Sequence, residues 1–219
     1  MHTSSGLRER KKQQTRQLIA DTARRLFAER GFDAVTVVEV ARAADVSEAT
    51  VFNYFPTKED LFYNRLEAFE EELLAAIRDR EAGTSVAAAF RDFILKQRGV
   101  FDMKAAGGDE AATERVREVT RVITESPALL ARERQVFAEY SRSLAALIAE
   151  ETGAAPGDVV PAAVANALIG VHRSLIDYVR ERTMAGARAS QIARGVRAQA
   201  KQGFGLLEEG LADFDVREP

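Results

Sequence analysis

The side chains with the most chemistry to offer lie together between Thr36 and Lys58, in TVVEVARAADVSEATVFNYFPTK. Glu48, Asn53 and Tyr54 are carboxylate, amide and phenol groups on one short apolar-and-polar run. Such groups hydrogen-bond base edges and phosphate oxygens. Val37, Val40 and Ala41 recur at helical spacing, and Asp45-Val46 breaks that pattern. Ser47 is a good N-cap for a second helix carrying Ala49, Thr50, Val51 and Phe52. Pro56 stops it, because the residue before a proline is pushed out of the α region. Thr57 caps the next helix, with Asp60 completing an approximate capping box. Two short helices at a steep angle, the second too polar to be buried all round, outline a DNA-reading helix-turn-helix.

The elements that must position this face come first in the chain. Lys11 to about Arg30 predicts a helix, with Leu18, Ile19, Thr22, Ala23, Leu26 and Phe27 forming one apolar stripe. Gly31 ends it where a positive φ is commonly needed, and Phe32 folds back onto the stripe. Residues 1–10 show no periodicity and are expected to be a flexible basic arm. With Arg8, Arg10, Lys11, Lys12 and Arg16 opposed only by Glu9, it would settle on phosphates or in the minor groove. The other reading is a solvated helix start. Charge is distributed accordingly. Up to Lys58 there are 10 Lys/Arg against 7 Asp/Glu, or +3, and beyond it 21 against 27, or −6. A basic front and an acidic remainder fit a chain whose front alone meets a polyanion.

At this point the chain resembles the TetR-type transcriptional regulators. The resemblance is carried by Ile19-Ala20, Ala23, Leu26-Phe27, Arg30-Gly31-Phe32, Thr36-Val37, Val40-Ala41, Ala44, Val46-Ser47, Thr50-Val51-Phe52, Tyr54-Phe55-Pro56-Thr57-Lys58-Glu59 and Leu61. It covers about Lys11 to Phe62 without gaps, and no comparable resemblance is read beyond Phe62. It implies base contacts from Glu48, Ala49, Thr50 and Phe52, and phosphate contacts from Thr36, Ser47, Tyr54 and Lys58. These roles fit physically. The Thr36 and Ser47 hydroxyls sit at helix N-termini, where amides and dipole attract phosphate. Lys58 adds a cation, and Thr50 offers a methyl to thymine or a hydroxyl to a base edge. Asn53 lies on the same polar side, and Arg42 is either a phosphate ligand or a solvated surface charge. Val51 and Phe55 are expected to face the core of the head.

Three positions depart from the family pattern. Glu48 is acidic where relatives are often neutral or basic, so it either accepts from cytosine N4 or serves the helix start. Phe52 stands where a Tyr is common and forfeits any hydroxyl contact. Asp45 replaces the usual turn glycine, which a short polar side chain tolerates at small cost.

The remainder reads as helices: Lys58 to Arg80 as one rigid lever, Val86 to about Phe101, Asp109 to Thr124, Pro127 to about Glu151, Ala162 to about Met184, and Ser190 to about Leu211. The domain boundaries expected are 1–10 for the arm, 11–58 for the DNA-binding head, and 59–219 for ligand binding and dimerisation. The resemblance implies a small-molecule cavity between body helices, with Phe93, Gln97, Phe101, Phe137, Tyr140, Asn166, Ile169 and His172 as candidate walls. Aromatic stripes on helices are also ordinary core. Ala162, Ala163, Ala165, Ala167 and Gly170 let backbones approach closely, and the resemblance implies a homodimer built on the last two helices. An intrachain pair explains the same residues.

The chain has no Cys, so disulfides, thiolate nucleophiles and Cys-based metal sites are excluded. No apolar run approaches the roughly 20 residues a bilayer requires, and no leader is recognised, so a cytoplasmic protein is expected. No catalytic constellation, metal site or cofactor is read. The two histidines are His2 and His172, and Asp109-Glu110 and Glu150-Glu151 are consecutive pairs that diverge on a helix. The fold class is all-α, an N-terminal three-helix helix-turn-helix domain followed by a helical ligand-binding and dimerisation domain. The function expected is a DNA-binding regulator, a repressor released from a palindromic operator by a small-molecule effector. A ligand-independent regulator or activator, and a small-molecule-binding protein with a vestigial head, are the alternatives.

Overall fold

The computed structural model describes residues 3–64, 66–96 and 108–210. Those residues are all-α. Their helices are α1 (Thr3–Arg30), α2 (Val37–Ala43), α3 (Glu48–Tyr54), α4 (Lys58–Phe62), α5 (Leu66–Arg78), α6 (Val86–Lys96), α7 (Asp109–Thr124), α8 (Pro127–Thr152), α9 (Val160–Met184) and α10 (Ala189–Glu209). The chain divides into two compact units, one of Met1–Glu67 with Arg121–Glu133, the other of Ala68–Thr120 with Arg134–Pro219.

The first unit is built on α1, which starts at Thr3 rather than near Lys11. Arg, Lys, Gln and Glu are good helix formers and no proline interrupts them, so the expected aperiodic arm takes a helical backbone from Thr3 onward. Ile19, Ala23 and Phe27 are fully buried along the stripe, while Leu18 is exposed instead. Gly31 takes φ 82° and gives its N–H to the Phe27 carbonyl at 2.8 Å, closing the helix as a left-handed C′ residue. The chain then returns so that Phe32 packs on Phe27, ring centroids 4.9 Å apart, with Phe62 near both. Burying one such ring stabilises by about 1.5–3 kcal/mol. Val40, Val51, Phe55 and Leu61 complete the core below α2, α3 and α4.

The corner between α7 and α8 belongs to this unit. Ser126 is buried and donates to Asp33 at 2.9 Å, and Arg132 lies 3.2 Å from an Asp60 carboxylate oxygen. Arg121 donates to the Ala28 carbonyl at 2.7 Å, satisfying an acceptor left open by the end of α1.

The single rigid lever expected from Lys58 to Arg80 is not formed. Helix α4 stops at Phe62, with Tyr63 at φ −90°, ψ 44° as its C-cap, and α5 starts afresh at Leu66. Within this interruption the Asn64 carbonyl accepts from Arg16 at 3.0 Å.

In the second unit α9 and α10 pack lengthwise. Gly195 and Gly203 on α10 permit this: a Cβ on Gly195 would lie 2.0 Å from the Tyr178 hydroxyl oxygen, and one on Gly203 2.9 Å from Val171 Cγ1. Helix α7 anchors the start of α10, where Asp109 accepts from the Ser190 amide and hydroxyl, each at 2.8 Å. The Ser190 hydroxyl, then its amide, hold the Asp109 carboxyl below its ordinary range. Ion pairs Arg80–Glu151 (2.8 Å) and Arg91–Glu208 (3.0 Å) tie the helices at their edges. No described helix is long and apolar enough to cross a membrane.

Candidate nucleic-acid interface

Helix α3 is presented by its caps and by the two residues it buries. The Ser47 hydroxyl accepts from the Thr50 amide at 3.1 Å and lies 2.7 Å from the Thr50 hydroxyl, fixing the start of the helix. Val51 and Phe55, four residues apart, are buried beneath it. At 100° per residue, that orientation turns Glu48, Ala49, Phe52 and Asn53 outward together, and all four are exposed. Thr50 and Tyr54 are half-buried at the margin. Phe52 is 44% exposed, a large apolar ring at the surface. The turn before α3 is made by Asp45 at φ 53°, the left-handed conformation expected of it.

The residues placed at the edges behave differently. Arg42 is exposed on α2. Thr36 is exposed, but its groups are committed within a capping box: the hydroxyl accepts from the Glu39 amide at 3.2 Å and donates to Glu39 Oε2 at 2.9 Å, while its own amide donates to the same oxygen at 2.8 Å. The Glu39 carboxylate thus closes the start of α2. The Thr36 amide first, then Arg30 at 2.8 Å, hold the Glu39 carboxyl down at about 2.

Lys58 is turned inward. Its Nζ donates to the Phe32 carbonyl at 2.7 Å and sits 4.2 Å from the centre of the Phe32 ring. Partial burial pushes its pKa below the ordinary lysine value. These contacts to Phe32 depend on the folded head and were not apparent from the position of Lys58 in the sequence.

Arg16, grouped above with the basic arm, is also an internal tether. It donates to the carbonyls of Tyr54 (3.4 Å) and Asn64 (3.0 Å), and its guanidinium carbon lies 4.8 Å from the Phe55 ring centre. It closes the far end of α3. Leaving its neighbours Arg8, Arg10, Lys11 and Lys12 exposed, it marks where the basic run turns from surface to structure. The signal available in the sequence was its spacing: Arg16 precedes the buried Ile19 and Ala20 by three and four residues.

In the second unit, Phe93, Phe137, Tyr140 and His172 are brought together around Phe69, with ring centroids 5.3 Å (Phe69–Phe93), 5.5 Å (Phe69–Tyr140) and 5.7 Å (Phe69–His172). Phe90 joins from α6, 6.3 Å from His172. Phe69 and Phe90 are thus part of the cluster beside the four residues chosen from the sequence. Ile169 is buried one turn before His172. Asn166 does not join them. It precedes His172 by six residues, a rotation of about 240° on α9, and is exposed beside Arg142 and Glu139 in a solvent-facing groove of about 690 Å³. Gln97 and Phe101 lie outside the described residues.

Residues 19–63 match the family described as bacterial regulatory proteins, tetR family, and residues 97–210 match the MftR C-terminal domain, more than half of the chain. The chain belongs to the TetR family. It is a DNA-binding transcriptional regulator of that family. The second match extends well past Phe62, where the sequence alone carried no resemblance. Among TetR-family relatives, a Mycobacterium tuberculosis protein bearing the name mycofactocin biosynthesis transcriptional regulator MftR is 28% identical over 77% of this chain and 81% of its own. The HTH-type transcriptional regulator TcmR of Streptomyces glaucescens is 32% identical over 68% of this chain and 65% of its own. The crystal structure of NalD, secondary repressor of the MexAB-OprM multidrug efflux pump in Pseudomonas aeruginosa, shares the fold with a TM-score of 0.52 at 20% identity, covering 87% of this chain and 97% of that one.

Proposed function

We propose that this regulator is a repressor that binds a palindromic duplex operator as a homodimer in the cytoplasm and leaves it when a small molecule enters the second unit. The observation that carries the reading is the outward face of α3, where Glu48, Ala49, Phe52 and Asn53 stand exposed on a capped helix seated on Val51 and Phe55. In the major groove these positions read base edges, with Phe52 against thymine methyls and Glu48 accepting from cytosine N4. Thr50 at the margin joins them in reading bases, while Ser47, Tyr54 and Arg42 border that face and serve the phosphates, joined by the exposed cations of α1. Thr36 and Lys58 act by holding the head's shape.

Dimerisation on α9 and α10 is supported by an exposed surface that intrachain packing does not use. Gly170 has open space where a Cβ would project, and Val160, Val164 and Met184 are exposed on α9. A two-fold dimer presents two copies of α3 to two half-sites.

Release requires an effector that binds the DNA-free form more tightly than the DNA-bound form. The chain crosses between units inside α5, α7 and α8, so a change around Phe137 and Tyr140 on α8 has a continuous helix to act through. That helix begins at a corner fastened to the head by Ser126 and Arg132.

The test is capture of fragmented genomic DNA from the source organism by the purified full-length protein. One or a few intergenic fragments containing an inverted repeat are expected, with release by a small apolar compound. Retention of all fragments in proportion to length would remove the regulatory reading. Specific capture that no compound relieves would remove the effector.

A further inference from the structure

His172 occupies an unusual position in the aromatic cluster of the second unit. Phe69 stacks on its imidazole at an interplanar angle of 23°, while Phe90 and Phe137 meet it edge-on at 70° and 82°. Its Nδ1 is buried without a hydrogen-bond partner. Burial pushes the imidazole down to about 4, so the ring is neutral at neutral pH. Part of the residue nonetheless stays accessible. The nitrogen itself is closed off by aromatic rings rather than by polar groups. An orphaned nitrogen in such a place costs stability, and a ligand that pairs with it recovers that cost.

We infer that His172 Nδ1 is the polar anchor of the effector site, and that the effector is a small neutral molecule with an apolar or aromatic body and one hydroxyl or carbonyl placed to pair with that nitrogen. The inference rests on the reading of this cluster as an effector site and names what the site selects. The walls supply the apolar complement: Phe69, Phe90, Phe93 and Phe137 offer ring surface and no charge. A neutral imidazole gives or takes one hydrogen bond but does not balance a carboxylate. The Arg173 guanidinium carbon lies 5.8 Å from the Phe137 centre, and Arg173 is exposed.

The probes are phenol, toluene and benzoate, titrated calorimetrically into the full-length protein and into His172→Phe and His172→Gln. Phenol leaves water more reluctantly than toluene, so a purely apolar cavity favours toluene. The native protein is expected to bind phenol at least as tightly as toluene and to ignore benzoate. His172→Phe should shift the phenol-to-toluene preference toward toluene by about tenfold, and His172→Gln should keep part of it. A preference unchanged in His172→Phe, or benzoate binding as tightly as phenol, overturns the inference while leaving an effector cavity in place. Absence of binding by all three removes the cavity reading and the inference with it. A second readout needs no variant: with His2 the only other histidine, the imidazole ¹⁵N signals identify His172 directly. Phenol should move the Nδ1 resonance, and an unmoved resonance on saturation contradicts the pairing.

Discussion

The Lys58 ammonium lies 2.7 Å from the Phe32 carbonyl oxygen and 4.2 Å from the centre of the Phe32 ring. Both contacts fasten the start of α4 to the loop after α1. Lys58→Ala is therefore expected to lower stability by about 1 kcal/mol, the scale of a partly exposed cation–π and carbonyl contact. The salt dependence of DNA binding should keep its slope. A phosphate ligand removed would flatten that slope by about one, so urea melts and a salt titration on the same variant separate the two roles.

The capping box at α2 gives the head a defined acid sensitivity. Glu39 is held at about 2 in the folded chain against 4.5 ordinarily, first by the Thr36 amide and then by Arg30. A depressed folded value means the stabilisation is fully present above pH 4.5 and disappears as pH falls toward 2. Glu39→Gln should accordingly melt below the native protein at pH 7, with the gap closing between pH 4.5 and 2. Parallel melting curves with a constant gap across that range would contradict the assignment.

Asp45 carries the turn at φ 53°. Asp45→Val is expected to cost about 1–2 kcal/mol, because a β-branched residue is strained there. Asp45→Gly should stay within about 0.5 kcal/mol of the native chain, relief of strain offsetting the freer unfolded backbone. Chemical denaturation of both variants checks the pair, and equal losses would show that the turn does not need left-handed geometry.

The head was largely legible because its signals are local. Ser47, Thr57 and Gly31 announce helix ends through their own chemistry, and Val51 and Phe55 declare the buried side of α3 by spacing. What escaped depends on partners distant in sequence. Arg16 reaches Asn64, 48 residues away, beside the point where the expected lever is interrupted after Phe62. Lys58 reads as a surface cation until Phe32 is placed beneath it. In the body, Phe93, Phe137, Tyr140 and His172 could be chosen by residue type, but Asn166 needed the helical angle, and Phe69 and Phe90 are indistinguishable from core until the helices are packed.

The α9–α10 pairing rests on a similar long-range fit. A methyl group at Gly195 would meet the Tyr178 hydroxyl oxygen at 2.0 Å. Gly195→Ala is expected to lose about 1 kcal/mol net, overpacking outweighing the gain in helix propensity. The Tm should fall by about 2–4 °C. A raised Tm would show that Tyr178 moves aside freely and that the close approach is not required.

The central claim, that the outward face of α3 reads base sequence, is tested by selecting duplexes from a randomised pool with the native protein and with Phe52→Ala and Glu48→Ala. An inverted repeat should emerge with the native chain. Each variant should change the preferred bases at matching positions of both half-sites, with the salt dependence of binding unchanged. The same preferred sequence from all three proteins, or no enriched sequence with the native chain, would contradict the account.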